Sequence, residues 1–238
     1  MKKTVILTLL LVLVSFTYHP GEASPHGVPL KDYQSLTLYT ATSILENYET
    51  IKDLILLPET SFNELAAAQM IQRINQIDVP ILKGLVNEGI VLKLFTGNLT
   101  DEPTAAYLKG KKPRGYTENG PTWDEVPGIG GSEVVLAKIG SSDKGKGHGS
   151  INLELHELAH SIDRFVFDSI SEDPYFLAIW EKEVNLLFPN RSYFSDFPEE
   201  YFAESFAMYY FTDQTRNHLK LVAPMTHQLF VDLSETQS

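Results

Sequence analysis

The chain predicts an α+β fold: a small twisted sheet with helices in its first part, and helices alone in its last. Three observations carry this. Short apolar runs that stop at Pro or Gly alternate with helical periodicities up to Ile139. A glycine- and proline-rich stretch, Lys109–Gly131, interrupts the middle of the chain. From Ile151 onward helical spacing dominates, with one break at Phe188–Pro198. With 238 residues, 43% of them hydrophobic, there is enough apolar material for a substantial core.

The first residues read as a targeting signal. Lys2 and Lys3 precede the apolar run Val5–Val14, whose ten residues are too few to span a bilayer as a helix. Gly21-Glu22-Ala23 before Ser24 offers small residues at a cleavage point, so a secretory signal peptide over 1–23 and a secreted, extracellular mature chain from Ser24 are expected. Losing Lys2, Lys3 and Glu22 makes the formal charge of −12 one unit more negative. That balance excludes nucleic acid and stable association with anionic membrane, which are both held by Lys and Arg. The chain has no cysteine, hence neither disulfides nor a cysteine for lipid attachment. We expect a monomer with two lobes sharing a cleft: residues 24–150, carrying the sheet and the substrate loops, and residues 151–238, all helical.

The elements follow in order. Ser24–Leu30 is too rich in Pro and Gly to predict fixed structure. Asp32–Tyr48 predicts a helix, and Lys52–Leu57 (KDLILL), stopped by Pro58, a buried strand. Ser61 with Glu64 matches a capping box ahead of a helix over Leu65–Ile77. Pro80–Asn87 predicts a second short helix closed at Gly89, and Ile90–Thr96 (IVLKLFT) another strand. So long a loop as Lys109–Gly131 is functional or unstructured in a compact domain, and Trp123 inside it favours function. Ser132–Ile139 (SEVVLAKI) predicts a further strand, of which Val134–Ile139 is the candidate edge strand for pairing with an extended peptide.

Residues 151–163, INLELHELAHSID, hold the chemistry. His156 and His160 are four apart, so on a helix both imidazoles reach one metal ion, with Glu157 beside it to act as general base on water. With about 100° per residue, His160 and Asp163 flank His156, while Leu155, Leu158, Ala159, Ile162, Phe165 and Val166 form an apolar back. A solvated helix face remains open on the wheel alone. A catalytic Zn²⁺ needs a third protein ligand and an open position. Asp196–Phe211 (DFPEEYFAESFAMYYF) offers Glu199, Glu200 and Glu204. Asp196 as N-cap would engage Glu199 in a capping box and leave Glu200 and Glu204 on one face. Glu200 is then the expected ligand, and Glu204 the acceptor that orients a ligating histidine. Asp163 suits a supporting role, and His148, His218 and His227 lack metal-ligand spacing and read as surface or loop histidines.

HELAH, with EEYFAES downstream and TDEPTAAYLKG, TWDEVPGIGGS and KGKGHGSINLE upstream, resembles the secreted bacterial Pro-Pro endopeptidases over Lys52–Leu233. These are zinc metalloproteases related in fold to the catalytic domain of anthrax lethal factor. The resemblance implies a zincin-type fold with the HExxH helix at the cleft, one catalytic Zn²⁺ and a Pro-rich substrate cut between two prolines. It matches His156, His160 and Glu200 to the zinc ligands, Glu157 to the general base and Tyr193 to an oxyanion-stabilising tyrosine. It also places Trp123 and the Pro127–Ser132 turn, with Gly130, Gly131 and Ser132, at the substrate. Pro121 departs from the pattern, where a lysine precedes Thr-Trp. Two alternatives stay beside this reading: a zinc endopeptidase of other specificity, and a non-catalytic module that binds Pro-rich segments.

Overall fold

The structure is a computed structural model that describes residues 25–115 and 119–236, so the expected signal peptide lies outside the described residues. Its first half builds a five-stranded sheet. Strand β1 (Val28–Pro29) is followed by helices α1 (Leu36–Thr42) and α2 (Tyr48–Leu54), then β2 (Ile55–Leu57), α3 (Glu64–Ile74), α4 (Val79–Asn87) and β3 (Val91–Phe95). The long loop leads to β4 (Gly128–Ile129) and β5 (Val134–Lys138). The strand order is β1-β2-β3-β5-β4, with β3 parallel to both neighbours and each edge strand antiparallel. Helices α5 (Leu153–Ser161), α6 (Pro174–Leu187), α7 (Ser192–Asp196), α8 (Pro198–Phe211), α9 (Asp213–Val222) and α10 (Pro224–Thr236) complete the chain. The expected α+β class, with sheet first and helices last, is what the structure has.

Several local expectations are corrected. Ser24–Leu30 contains β1, whose residues pair with Leu56 and Leu57. The helix expected over Asp32–Tyr48 breaks in two: Ser35 caps α1 through Leu38 N–H, and Asn47 ties the break to the carbonyls of Asn75 and Ile77. Lys52–Leu54 belongs to α2, leaving only Ile55–Leu57 as strand. The cap of α3 is Asn63, which accepts from Ala66 N–H, while Glu64 accepts from Ser35 Oγ at 2.6 Å. Most consequential for the cleft, β5 is not an edge strand. It lies between β3 and β4, and β4 is the edge. Hydropathy cannot separate an edge from an interior strand when both faces of the sheet are covered.

One buried cluster joins sheet and helices, from Leu54 and Leu92 through Leu155 and Leu158 to Phe202, Phe206 and Phe230. A smaller one, Phe95, Leu99, Ala105 and Leu136, underlies Trp123 and Ile129. Helix α8 is buried nearly all round, from Glu200 to Tyr210, and packs along α5. Among the described residues no helix is long and apolar enough to cross a membrane.

Candidate metal centre and cleft

Helix α5 starts at Asn152, whose side chain accepts from Leu155 N–H at 3.0 Å. Leu155, Leu158, Ala159 and Ile162 are fully buried on its back, which turns His156 and His160 into a cleft of about 1250 Å³. The helix ends in a widened π-type turn, Ile162–Val166. There Asp163 accepts from Ser171 N–H (2.8 Å) and Ser171 Oγ (2.6 Å), so it braces the turn.

Helix α8 supplies the facing carboxylates. Its N-cap is Phe197 rather than Asp196, which ends α7, so no capping box engages Glu199. A separate short helix before Pro198 takes up Asp196, because the proline restricts the residue before it to extended backbone. Glu200 Oε2 nevertheless lies 3.3 Å from His156 Nε2 and 3.6 Å from His160 Nε2. Glu204, one turn on, accepts from His156 Nδ1 at 3.2 Å and from Ile151 N–H at 3.0 Å. Glu204 thereby fixes the imidazole so that its Nε2 faces the cleft.

Ligand atoms of His156, His160 and Glu200 lie within 4.8 Å of one another and could hold a metal ion. Two imidazole nitrogens and one carboxylate oxygen form a donor set that suits a catalytic divalent ion with a position left for water. The electrostatics point the same way. Burial alone would lower the His156 pKa, but hydrogen bonds to Glu200 and Glu204 outweigh it and raise it to about 10. Burial would raise Glu200, yet hydrogen bonds to both histidines and their charge hold it far below the usual carboxylate range. Buried carboxylates here need positive charge, which protonated histidines supply and which a metal ion bound to the neutral histidines would supply in their place.

Glu157 faces the cleft beside this cluster. Burial raises its pKa, against the opposing charges of His156 and His160 and the Gly130 backbone N–H. The β4–β5 turn lies directly on the helix. A Cβ at Gly130 would fall 1.9 Å from the Glu157 carbonyl oxygen, so no side chain fits there. Gly131 N–H donates to Ser161 Oγ (3.1 Å), Ser161 Oγ–H donates to the Ser132 carbonyl (2.7 Å), and Arg164 Nη1 donates to the Gly131 carbonyl (2.9 Å). Gly130 and Gly131 line the cleft. The Ser132 side chain turns instead to the Val134 carbonyl at 2.7 Å.

Tyr193 sits on α7, which Trp180 anchors from α6 by donating to the Phe194 carbonyl at 2.9 Å. Its phenol is held protonated first by burial, then by the charge of Glu200 and a hydrogen bond to it. Trp123 lines the cleft from the long loop, its other wall. Asp124 closes the base of that wall, accepting from Thr100 Oγ1 (2.5 Å), Gly110 N–H (2.7 Å) and Thr122 Oγ1 (3.0 Å).

The family model described as anthrax toxin lethal factor, N- and C-terminal domain, matches residues 43–233. A Pro-Pro endopeptidase of Clostridioides difficile is 43% identical over 195 residues, covering 82% of this chain and 88% of that protein. The chain belongs to the Pro-Pro endopeptidase family. A Pro-Pro endopeptidase of Paenibacillus alvei is 40% identical over 196 residues, covering 82% and 90%. A solved structure of the Pro-Pro endopeptidase from the same species has a TM-score of 0.74 at 42% identity, covering 77% of this chain and 99% of that one.

Two cleft residues were assigned no role from the sequence, although His148 lies within the KGKGHGSINLE motif. His148 lines the cleft: its Nε2–H donates to the Ser141 carbonyl (2.7 Å), which leaves Nδ1 to accept from Ser150 Oγ (2.6 Å). It is a loop histidine, as expected, but one pinned by two hydrogen bonds in the cleft wall. Arg114, in the long loop, reaches both Glu199 and Glu200. Only the folded loop brings either to the site.

Proposed function

We propose that this chain is a secreted zinc-dependent endopeptidase that hydrolyses the bond between two prolines in extracellular or cell-surface proteins. The observation that carries the reading is the convergence of His156, His160 and Glu200 beside Glu157 in one cleft, in a chain whose relatives are named Pro-Pro endopeptidases.

His156, His160 and Glu200 would hold one Zn²⁺, with Glu204 orienting His156. When bound, the ion supplies Lewis acidity toward a peptide carbonyl and acidifies water. Glu157 takes the proton of the attacking water and returns it to the leaving amine, a role its raised pKa suits. Tyr193 keeps its proton and donates to the oxyanion as it develops. A Pro-Pro bond presents a tertiary amide with no N–H, so the substrate is held through its carbonyls and by packing on aromatic faces such as Trp123. With β5 interior, the backbone open to an extended peptide on this side of the sheet is that of β4, over the turn that rests on Glu157.

A peptide library with a central Pro-Pro and varied flanks tests the reaction. The expected result is cleavage between the prolines, abolished by a chelator and restored by Zn²⁺. Cleavage elsewhere, or activity untouched by chelation, would refute it. Secretion is tested separately: mature protein from culture medium should begin at Ser24, and an intact Met1 would count against the signal peptide.

A further inference from the structure

We propose that Arg114 is a positioning residue for the metal centre, one that occupies the second oxygen of Glu200 and leaves a single oxygen for the ion. The inference rests on the metal-site reading above. The two oxygens of Glu200 face different groups. Oε2 lies toward His156 Nε2 (3.3 Å) and His160 Nε2 (3.6 Å), whereas Oε1 lies 3.2 Å from Arg114 Nη2. The same Nη2 is 2.7 Å from Glu199 Oε1, and the guanidinium lies over the Phe197 ring, 3.9 Å from its centroid. Phe197, Glu199 and Glu200 thus fix one planar group by stacking and by two charge-assisted contacts, a combination that a lysine cannot reproduce.

The backbone next to Arg114 is seated as well. A Cβ on Gly115 would come within 3.0 Å of Tyr193 Cε2, and its φ of +82° lies in the region that glycine tolerates. Arg114 therefore reaches Glu200 from a loop docked on the residue already assigned to the oxyanion.

The chemical consequence concerns the open position. A carboxylate free on both sides can chelate through both oxygens and fill the place that a catalytic site keeps for water. With Oε1 engaged by Arg114, Glu200 binds through Oε2 alone, and that place stays available.

Cobalt(II) substitution of the full chain tests this, because visible d–d absorption is strong in four-coordinate Co²⁺ and weakens as coordination rises. In R114Q the absorption should weaken. Kcat should fall about tenfold, in the range for loss of a group that orients a ligand, with KM within about twofold of the parent. R114K should restore only part of both signals. E199Q, which weakens one of the three contacts that hold the guanidinium in place, should shift both in the same direction by less, and it serves if R114Q does not fold. An unchanged cobalt spectrum in R114Q, or in E199Q if R114Q is lost, would overturn the proposal even if activity fell, since Arg114 would then act on substrate instead. The spectrum is read without substrate, so a failure to cleave Pro-Pro peptides would refute the proposed function and leave this test intact.

Discussion

The two walls of the cleft are built differently. The metal-facing wall is the seam between α5 and α8, where Leu155, Leu158, Ala159, Phe202, Ala203 and Phe206 are fully buried behind the histidines and carboxylates. The opposite wall is the long loop, resting on a small cluster of Phe95, Leu99, Ala105 and Leu136 and closed by the hydrogen bonds of Asp124. One wall is placed by packing, which distributes its hold over many contacts. The other depends on a few polar latches. The groups proposed to react sit mainly on the first and those proposed to meet substrate partly on the second. Apart from Arg114, which links the two walls, chemistry and recognition should therefore fail separately.

Glu157→Gln should break the first wall's chemistry without disturbing its packing. Cleavage should fall on the order of a hundred- to ten-thousand-fold, the range for a lost general base, with zinc content and melting temperature unchanged. Steady-state kinetics and metal analysis of the same sample check this; retained cleavage would remove Glu157 from the reaction.

Asp124→Ala should do the converse. The loop base loses three hydrogen bonds, so KM should rise several-fold while zinc binding stays at the parent level. A loss of zinc in this variant would show that the walls are coupled.

His148 lines the cleft from another loop, and its effect should be the smallest. Burial lowers its pKa below the usual 6.5, and the charge of His156 adds to this, against the Ser141 carbonyl and the charges of Glu204 and Glu154. The unfolded chain therefore binds the proton more readily than the folded one. The associated stability is present above the unfolded value and is lost as pH falls from about 6.5 through the lower folded pKa. Thermal melts from pH 7 down to pH 5 should show this decline, and His148→Gln should flatten part of it.

Much of the metal-facing wall was legible in the sequence. A helix repeats every 3.6 residues, so His156, Glu157, His160 and their apolar back could be read from spacing alone. The other wall was not legible, because hydrogen bonds such as Asp124 to Thr100 and Gly110 join residues with no periodic relation. Strand order was equally hidden: the apolar run of β5 says nothing of its place in the sheet, and only its pairing on both sides makes it interior.

The sharpest case is the choice among glutamates. The sequence by itself determined that a buried helix after residue 196 would carry carboxylates needing positive partners, since apolar neighbours surround them. Which carboxylate meets the histidines was decided by tertiary structure. Helix α8 is buried on nearly every side, so its apolar pattern holds little phase, and the capping box that singled out Glu200 in the sequence does not form. Glu200 faces His156 and His160 because α8 packs along α5 in one register, while Glu199 is turned to Arg114. Local spacing fixes what shares a face within a helix; only packing between helices fixes which faces meet.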